Sequence, residues 1–232
     1  MGAMPAPDAS AVPAPENEES AETSAAVAAA ATAGLAGPAT GRGNGRTTEV
    51  EDPRTALANP AVRARIRRVL PYTLLLAFGI IMLDQATKFW AVTELELGVG
   101  YPVIGDAIEW RLIYNPGAAF GIGGDYTWVL SLVAAVAVVA LGVFVSRISS
   151  VRWAIAIGSL FGGAISHLGD RLFREPGFAR GEIVDFIDYF GFFIGNVADI
   201  ALVLGAVGVA VLSLVAVSPR RPEPHEPAPS HE

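Results

Sequence analysis

Several ionisable side chains stand in or beside long apolar runs of this sequence, where they could carry chemistry. Asp84 and Lys88 lie four residues apart in the first apolar run, while Asp185 precedes the last apolar run and Asp199 lies at its start. A spacing of four places two side chains on one face of a helix. Ionisable groups are costly at membrane depth and mark functional sites when they occur there. We therefore treat these residues as candidates for a reaction centre.

Two carboxylates brought close together favour one kind of chemistry. Because like charges at short range cannot both ionise cheaply, such a pair holds one shared proton. The ionised member can take a proton from water while the protonated member polarises a carbonyl group. The acids from which such a pair could form are Asp84, Asp170, Asp185, Asp188 and Asp199, and the chemistry needs neither a covalent intermediate nor a metal.

The composition argues against the other common hydrolytic centres. The sequence has no cysteine, which excludes a thiolate nucleophile and thiolate metal sites. Its three histidines, His167, His225 and His231, are scattered and form no H-E-x-x-H motif. We therefore predict no metal and no cofactor. The net charge of −7 argues against a nucleic-acid partner.

Several of these polar residues have a structural interpretation as well as a functional one. Asp84 and Lys88 could form an ion pair that only stabilises a helix, and Asp170 and Arg171 could be anchors at the membrane interface. Each pair could equally orient a site or bind a substrate, so both interpretations stay open.

The remaining polar candidates have structural interpretations of their own. Asp199 could complement a helix dipole, and His167 is more simply read as a satisfied polar residue than as a catalyst. Asp188 is predicted to be a solvated loop acid. Gly162 and Gly163 are predicted to permit close helix packing.

The elements that must position these residues are four long apolar segments. They span residues 69–92, 126–146, 153–169 and 200–217. Segments of 17 or more apolar residues are long enough to cross a bilayer as helices, so we predict an all-α membrane protein with four transmembrane helices. Residues 108–114 alternate between apolar and polar types, which predicts a short strand in the first outer loop.

Charge distribution predicts how the chain lies in the membrane. Arginines cluster at 63–68, 147–152 and 220–221, whereas acids dominate the loops at 93–125 and 170–198. By the positive-inside rule, both termini are cytoplasmic and the acidic loops face outward. We therefore expect a multi-pass protein whose ionisable cluster lies at the outer face.

The ends of the chain differ in composition from the middle. The segments at 1–62 and 218–232 are rich in Ala, Pro and Glu, without helical or strand periodicity. Such segments bury too little apolar surface to offset the entropy of ordering. We predict two disordered cytoplasmic tails around a membrane domain at 63–217.

Five segments taken together resemble the lipoprotein signal peptidase family, also called signal peptidase II. They are residues 84–90 (DQATKFW), 115–121 (NPGAAFG), 162–171 (GGAISHLGDR), 184–188 (VDFID) and 196–199 (NVAD). Each segment alone is weakly specific, but the five occur in the family's order.

The resemblance implies a function and a set of site residues. Members of this family are bacterial membrane aspartyl endopeptidases that cleave prolipoproteins carrying a diacylglyceryl group, and the outer strand would belong to a small extracytoplasmic β-sheet lying on the membrane. The implied catalytic residues are Asp185 and Asp199. The implied partners are lipid-modified prolipoproteins and the lipid bilayer of the bacterial cell membrane, and a monomer is expected. The implied support residues, with His167 added at a family position, are Asp84, Lys88, Asn115, His167, Asp170, Arg171 and Asn196.

The sequence departs from the family pattern at three points. Ser166 and His167 stand where the family has Gly-Asn, and Gly195 stands where an aromatic residue is usual. The stretch between the two acids is also shorter. Two other functions stay open at this stage: a small proton-coupled carrier that uses membrane carboxylates, and a non-catalytic lipoprotein-binding relative.

Overall fold

A computed structural model describes residues 60–118, 121–215 and 217–219. Most of the predicted disordered tails at 1–62 and 218–232 lies outside these ranges, as do Ala119 and Phe120 of the 115–121 motif.

Four helices form the body of the protein: α1 (Pro60–Glu94), α2 (Thr127–Val145), α3 (Val151–Phe173) and α4 (Val197–Leu214). Each is long and apolar enough to cross a membrane, which confirms the predicted set of four. Helix α1 begins earlier than predicted because the arginine-rich turns before the apolar run are themselves good helix formers. Helix α3 ends later, so that its last turn contains Asp170 and Arg171.

A small antiparallel sheet joins the helices at one end. Its strands are β1 (Gly100–Ile104), β2 (Ile108–Asn115), β3 (Ile183–Tyr189) and β4 (Phe193–Gly195), which lie side by side in chain order. The strand predicted at 108–114 is β2, and the sheet implied by the family resemblance is confirmed. The other three strands were not predicted from the residues.

Helix α3 is the central element of the bundle, because it packs against α1, α2 and α4. Its buried side chains Trp153, Ile157 and Leu160 form a core with Val69 of α1 and Val209 of α4. Helix α2, in contrast, exposes a row of valines along its length, as expected of a helix that faces lipid. The sheet has its own core, built around Leu112, Val184 and Phe186.

Glycines allow α3 to approach its neighbours closely, as predicted. A Cβ atom at Gly162 would lie 2.9 Å from both the Cα atom and the carbonyl oxygen of Ala77 in α1. A Cβ atom at Gly163 would lie 2.9 Å from the carbonyl oxygen of Ala198 in α4. Since these neighbours are backbone atoms, they cannot rotate away. The spacing between the helices therefore depends on the absence of side chains here.

We expect Gly162→Ala to lower the free energy of unfolding by roughly 1–3 kcal/mol, because the added methyl group forces α1 and α3 apart. The matched control is Gly79→Ala in α1, where an added Cβ meets nothing within 4 Å. Alanine has the higher helix propensity, so this control should be neutral or slightly stabilising. Equilibrium unfolding in bicelles measures both variants. Equal stability of the two would contradict the proposed close packing.

Candidate active site

The two predicted catalytic acids meet at the start of α4, where the chain leaves β4. Asn196 is the N-cap residue of this helix, and its Oδ1 accepts a hydrogen bond from the backbone N–H of Asp199 at 3.1 Å. Asp199 Oδ2 in turn accepts from the backbone N–H of Asn196 at 2.9 Å. This reciprocal capping box fixes both side chains. The alternative that Asp199 stabilises the N-terminus of a helix is therefore correct in part, because its Oδ2 belongs to the capping box of α4.

Asn196 also contacts the other acid. Its Nδ2 donates to Asp185 Oδ1 at 2.6 Å and to the carbonyl oxygen of Val184 at 3.3 Å. Asp185 lies on β3, where its register partner in β2 is Ile113. The side-chain nitrogen of Asn196 thus holds Asp185, while the backbone N–H and Oδ1 of the same residue hold Asp199. The structure brings the two acids together, as predicted.

Asp185 receives a second amide hydrogen bond from the end of β2. Asn115 Nδ2 donates to Asp185 Oδ2 at 3.0 Å, so each carboxylate oxygen of Asp185 accepts from a carboxamide. The side chain is buried, with 3% of the residue exposed. Burial and then the charge of Asp199 raise the pKa of Asp185 to about 6, and the two carboxamides and His167 act in the opposite direction.

Asp199 has a different environment from its partner. Its side chain is 25% exposed, whereas Asp185 is almost fully enclosed. The more enclosed acid is the one that favours its neutral form. Asp185 is therefore the member of the pair whose surroundings favour the protonated form.

Arg171 holds the turn that carries Asn115. Its Nη1 donates to the carbonyl oxygens of Asn115, Pro116 and Gly181 at 3.1, 3.0 and 2.9 Å, and its Nη2 donates to that of Gly117. With 3% of the residue exposed, Arg171 is buried, so the interfacial-anchor interpretation is wrong for it. Its contacts fix the backbone that presents Asn115 to Asp185.

A buried ion network lies beside the pair of acids. Lys88 Nζ is 2.6 Å from Asp84 Oδ2 and 2.6 Å from Asp170 Oδ2, and all three side chains are buried. Asp170 also accepts from Arg174 Nε at 2.6 Å and from Gln85 Nε2 at 3.1 Å. Asp170 is therefore a buried network member, and the interfacial-anchor interpretation is wrong for it too.

This network reaches the first turn of α4. Asp84 Oδ1 accepts the backbone N–H of Ala198 at 2.8 Å, and Asp84 Oδ2 accepts from Ser166 Oγ at 2.7 Å. Asp84 therefore links α1 to α3 and to the residue next to Asp199. The Asp84–Lys88 pair is an ion pair, but it does more than stabilise its own helix, because it sets the position of α4.

His167 lies within reach of both Asn196 and Asp199. Its Nε2 is 3.2 Å from Asn196 Oδ1 and 3.5 Å from Asp199 Oδ1. The site residues predicted from the sequence therefore fall into two adjoining groups. One contains the two acids, Asn115, Asn196 and His167, with Arg171 holding the turn of Asn115, and the other is the lysine-centred network. Within the described ranges, no three His, Asp or Glu side chains are grouped so as to hold a metal ion.

Four residues differ from what the sequence suggested. Asp188 is only 2% exposed and accepts from Arg111 Nε at 2.9 Å, so the prediction of a solvated loop acid is wrong. The reason is that β3 continues to Tyr189 and holds Asp188 within the sheet. The network residues Gln85, Ser166 and Arg174 were missed. Arg174 lies four residues after Asp170 on one helix face, a signal that could have identified it.

Comparison with known proteins identifies relatives of this chain. A family model described as signal peptidase (SPase) II matches residues 76–215. A lipoprotein signal peptidase from Bifidobacterium longum (strain DJO10A) is 40% identical over 153 residues, which cover 66% of this chain and 84% of that protein. A lipoprotein signal peptidase from Mycobacterium avium (strain 104) is 40% identical over 162 residues, which cover 70% of this chain and 89% of that protein.

Solved structures agree with the sequence relatives. A structure described as a bacterial membrane enzyme determined by the in meso method at 2.3 Å resolution has a TM-score of 0.58 and 28% identity. The likeness covers 67% of this chain and 95% of that one. A second, determined at 1.9 Å, has a TM-score of 0.55 and 27% identity, and the likeness covers 64% and 95%. The family match spans more than half of the chain and includes the acids, the carboxamides and the buried ion network, so the chain belongs to the signal peptidase II family of membrane aspartic peptidases.

Proposed function

We propose that this protein removes signal peptides from diacylglyceryl-modified bacterial prolipoproteins, with Asp185 and Asp199 as the catalytic pair. One observation carries the proposal: a single residue, Asn196, holds both acids at the end of the membrane helices. The relatives described above are named lipoprotein signal peptidases, which supports the substrate class. Asn115, Arg171 and the lysine-centred network then act as positioning residues.

The proposed reaction needs only water and the two carboxyl groups. Asp199, ionised and partly exposed, takes a proton from a water molecule, and the water oxygen attacks the scissile carbonyl carbon. Asp185, protonated, donates a hydrogen bond to the carbonyl oxygen as negative charge develops there. When the carbon–nitrogen bond breaks, the proton held by Asp199 passes to the leaving amine. The pair then returns to its starting state with one proton.

The proposed setting is the outer face of the bacterial cell membrane, with both chain termini in the cytoplasm. The arginines before α1 and between α2 and α3 support this orientation through the positive-inside rule. The acids lie where the sheet meets the ends of α3 and α4, next to the bilayer. A signal helix would enter from the lipid side and present its extended cleavage segment to the pair. We propose that a monomer suffices and that nucleic acid plays no part.

The structure favours a peptidase over a carrier. Carriers commonly bind their substrate at broken helices near the bilayer midplane. Helices α1 to α4 are each continuous, and the acids lie beyond the apolar length of α3 and at the first turn of α4. No observation supports the carrier alternative within the described residues.

Removing either carboxylate should slow cleavage severely. We expect Asp185→Asn and Asp199→Asn each to reduce the cleavage rate of a diacylglyceryl prolipoprotein by roughly 10²–10⁴-fold, because the amide neither takes a proton from water nor shares one. The matched control is Asp106→Asn, at an exposed loop acid between β1 and β2. The measurement is in vitro cleavage by purified protein in bicelles. Near wild-type rates for either site variant would refute the catalytic pair.

We expect the activity to fall as the pH rises through about 6. Burial and the neighbouring charge raise the pKa of Asp185 to about 6, and the reaction needs Asp185 protonated. Activity is therefore retained below this pH and falls as the proton is lost above it, by about tenfold per pH unit well above the pKa. A profile of kcat/KM against pH measures this in the free enzyme. A profile that stays flat through pH 6 would contradict the assignment of the shared proton to Asp185.

A further inference from the structure

We propose that Phe193 is a positioning residue for Asp199, and that Gly195 is a glycine because its neighbourhood must admit the ring of Phe193. This inference rests on the proposed function, since it concerns how the acid that takes a proton from water is held. It also gives a reason for one departure from the family pattern. The aromatic residue usual at position 195 is missing, and the ring of Phe193 lies against that position instead.

The ring of Phe193 is directed by the sheet. Phe193 and Gly195 are two residues apart in β4, so their side-chain positions lie on one face of the strand. The register pairs Phe193 with Tyr189 of β3. The rings of this pair are stacked, with centroids 6.2 Å apart and planes inclined by 20°. Such pairing of rings is favourable beyond the area that it buries, so Tyr189 holds the Phe193 ring in its place.

A side chain at position 195 would meet both this ring and the catalytic acid. An ideal Cβ atom built on Gly195 lies 2.7 Å from Cε1 and 3.1 Å from Cζ of Phe193, and 2.9 Å from Oδ2 of Asp199. Carbon atoms in contact normally lie about 3.5–4.0 Å apart. The backbone of Gly195 does not itself need glycine, because its φ is not positive. Glycine is therefore required here by the space that the ring and the carboxylate occupy.

The same geometry distinguishes the two carboxylate oxygens of Asp199. Oδ2 lies beside Gly195 and accepts the backbone N–H of Asn196 at 2.9 Å. Oδ1 lies on the other side of the carboxylate, 3.5 Å from Nε2 of His167. Oδ2 is thus held by the helix end, with the edge of an apolar ring close by. Oδ1 is the oxygen left to take the proton from water.

Removing the ring would loosen this arrangement. The space left beside Oδ2 would admit water, which competes with the N–H of Asn196 for the same oxygen. The carboxylate of Asp199 could then turn away from the orientation that presents Oδ1. A misplacement of about 1 Å can lower a catalysed rate by about 10²-fold. Because Phe193 acts through Asp199, the loss should appear in kcat rather than in KM.

The test measures kcat and KM for the wild type, Phe193→Ala, Gly195→Phe and the double variant Phe193→Ala/Gly195→Phe, with a lipidated prolipoprotein in bicelles. We expect Phe193→Ala to lower kcat by roughly 10–100-fold with little change in KM. Gly195→Phe should lose at least as much, because two rings then compete for one place. The double variant has one ring there again, so its kcat should return to within about threefold of the wild type.

The matched control is Phe192→Ala, in the same hairpin. Its ring is 75% exposed, so its removal should leave kcat unchanged. Phe193→Leu fills part of the same space and replaces Phe193→Ala if thermal unfolding shows that variant to be unfolded. We expect Phe193→Leu to lower kcat by roughly 3–10-fold, a smaller misplacement of Asp199.

The outcomes separate this inference from the proposed function. If the wild type cleaves, Asp199→Asn does not, and Phe193→Ala keeps the wild-type kcat, then the role of Phe193 is refuted while the catalytic pair stands. A double variant no more active than Gly195→Phe would also refute it. A purely structural role predicts lower thermal stability with an unchanged kcat per folded molecule. If the wild type fails to cleave, both proposals fall.

Discussion

The constraint on which the site depends is the cost of holding two carboxyl groups together in a mostly buried place. Like charges repel, and burial opposes ionisation of Asp185, so the pair needs donors that hold it in place. Asn196 supplies them by capping α4 and donating to Asp185 at the same time. The pair is therefore positioned by a helix end, where backbone N–H groups are available without cost to the helix.

The rest of the domain can be understood as support for that helix end. Lys88 lies buried between two carboxylates, and one of them, Asp84, accepts the N–H of Ala198 beside Asp199. Removing one partner of such a buried network leaves an unpaired charge, at a cost of about 3–5 kcal/mol. Arg171 plays the corresponding role for the sheet, because it fixes the turn that carries Asn115. Two buried cations thus position two elements on either side of the pair.

The sequence predicted the parts of the fold whose patterns are periodic or long. The four helices follow from apolar length, and β2 follows from its alternation of apolar and polar residues. Strand β3 gave no such signal because both of its faces are buried, and β4 has only three residues. Asp188 was misjudged for the same reason, since a strand buried on both faces can hold an acid that looks like a loop residue. The partners of each site residue depend on packing between distant segments, which no local pattern encodes.

The central claim is that Asp185 and Asp199 interact closely enough to share a proton. The most direct test is a titration of the Asp185 carboxyl group, followed by isotope-edited infrared or NMR spectroscopy, in the wild type and in Asp199→Asn. The account predicts that Asp185 has a pKa of about 6 in the wild type and that this pKa falls in Asp199→Asn, because the neighbouring negative charge is lost. An unchanged Asp185 pKa in the variant, or an ordinary aspartate value in the wild type, would show that the two acids do not act as a pair.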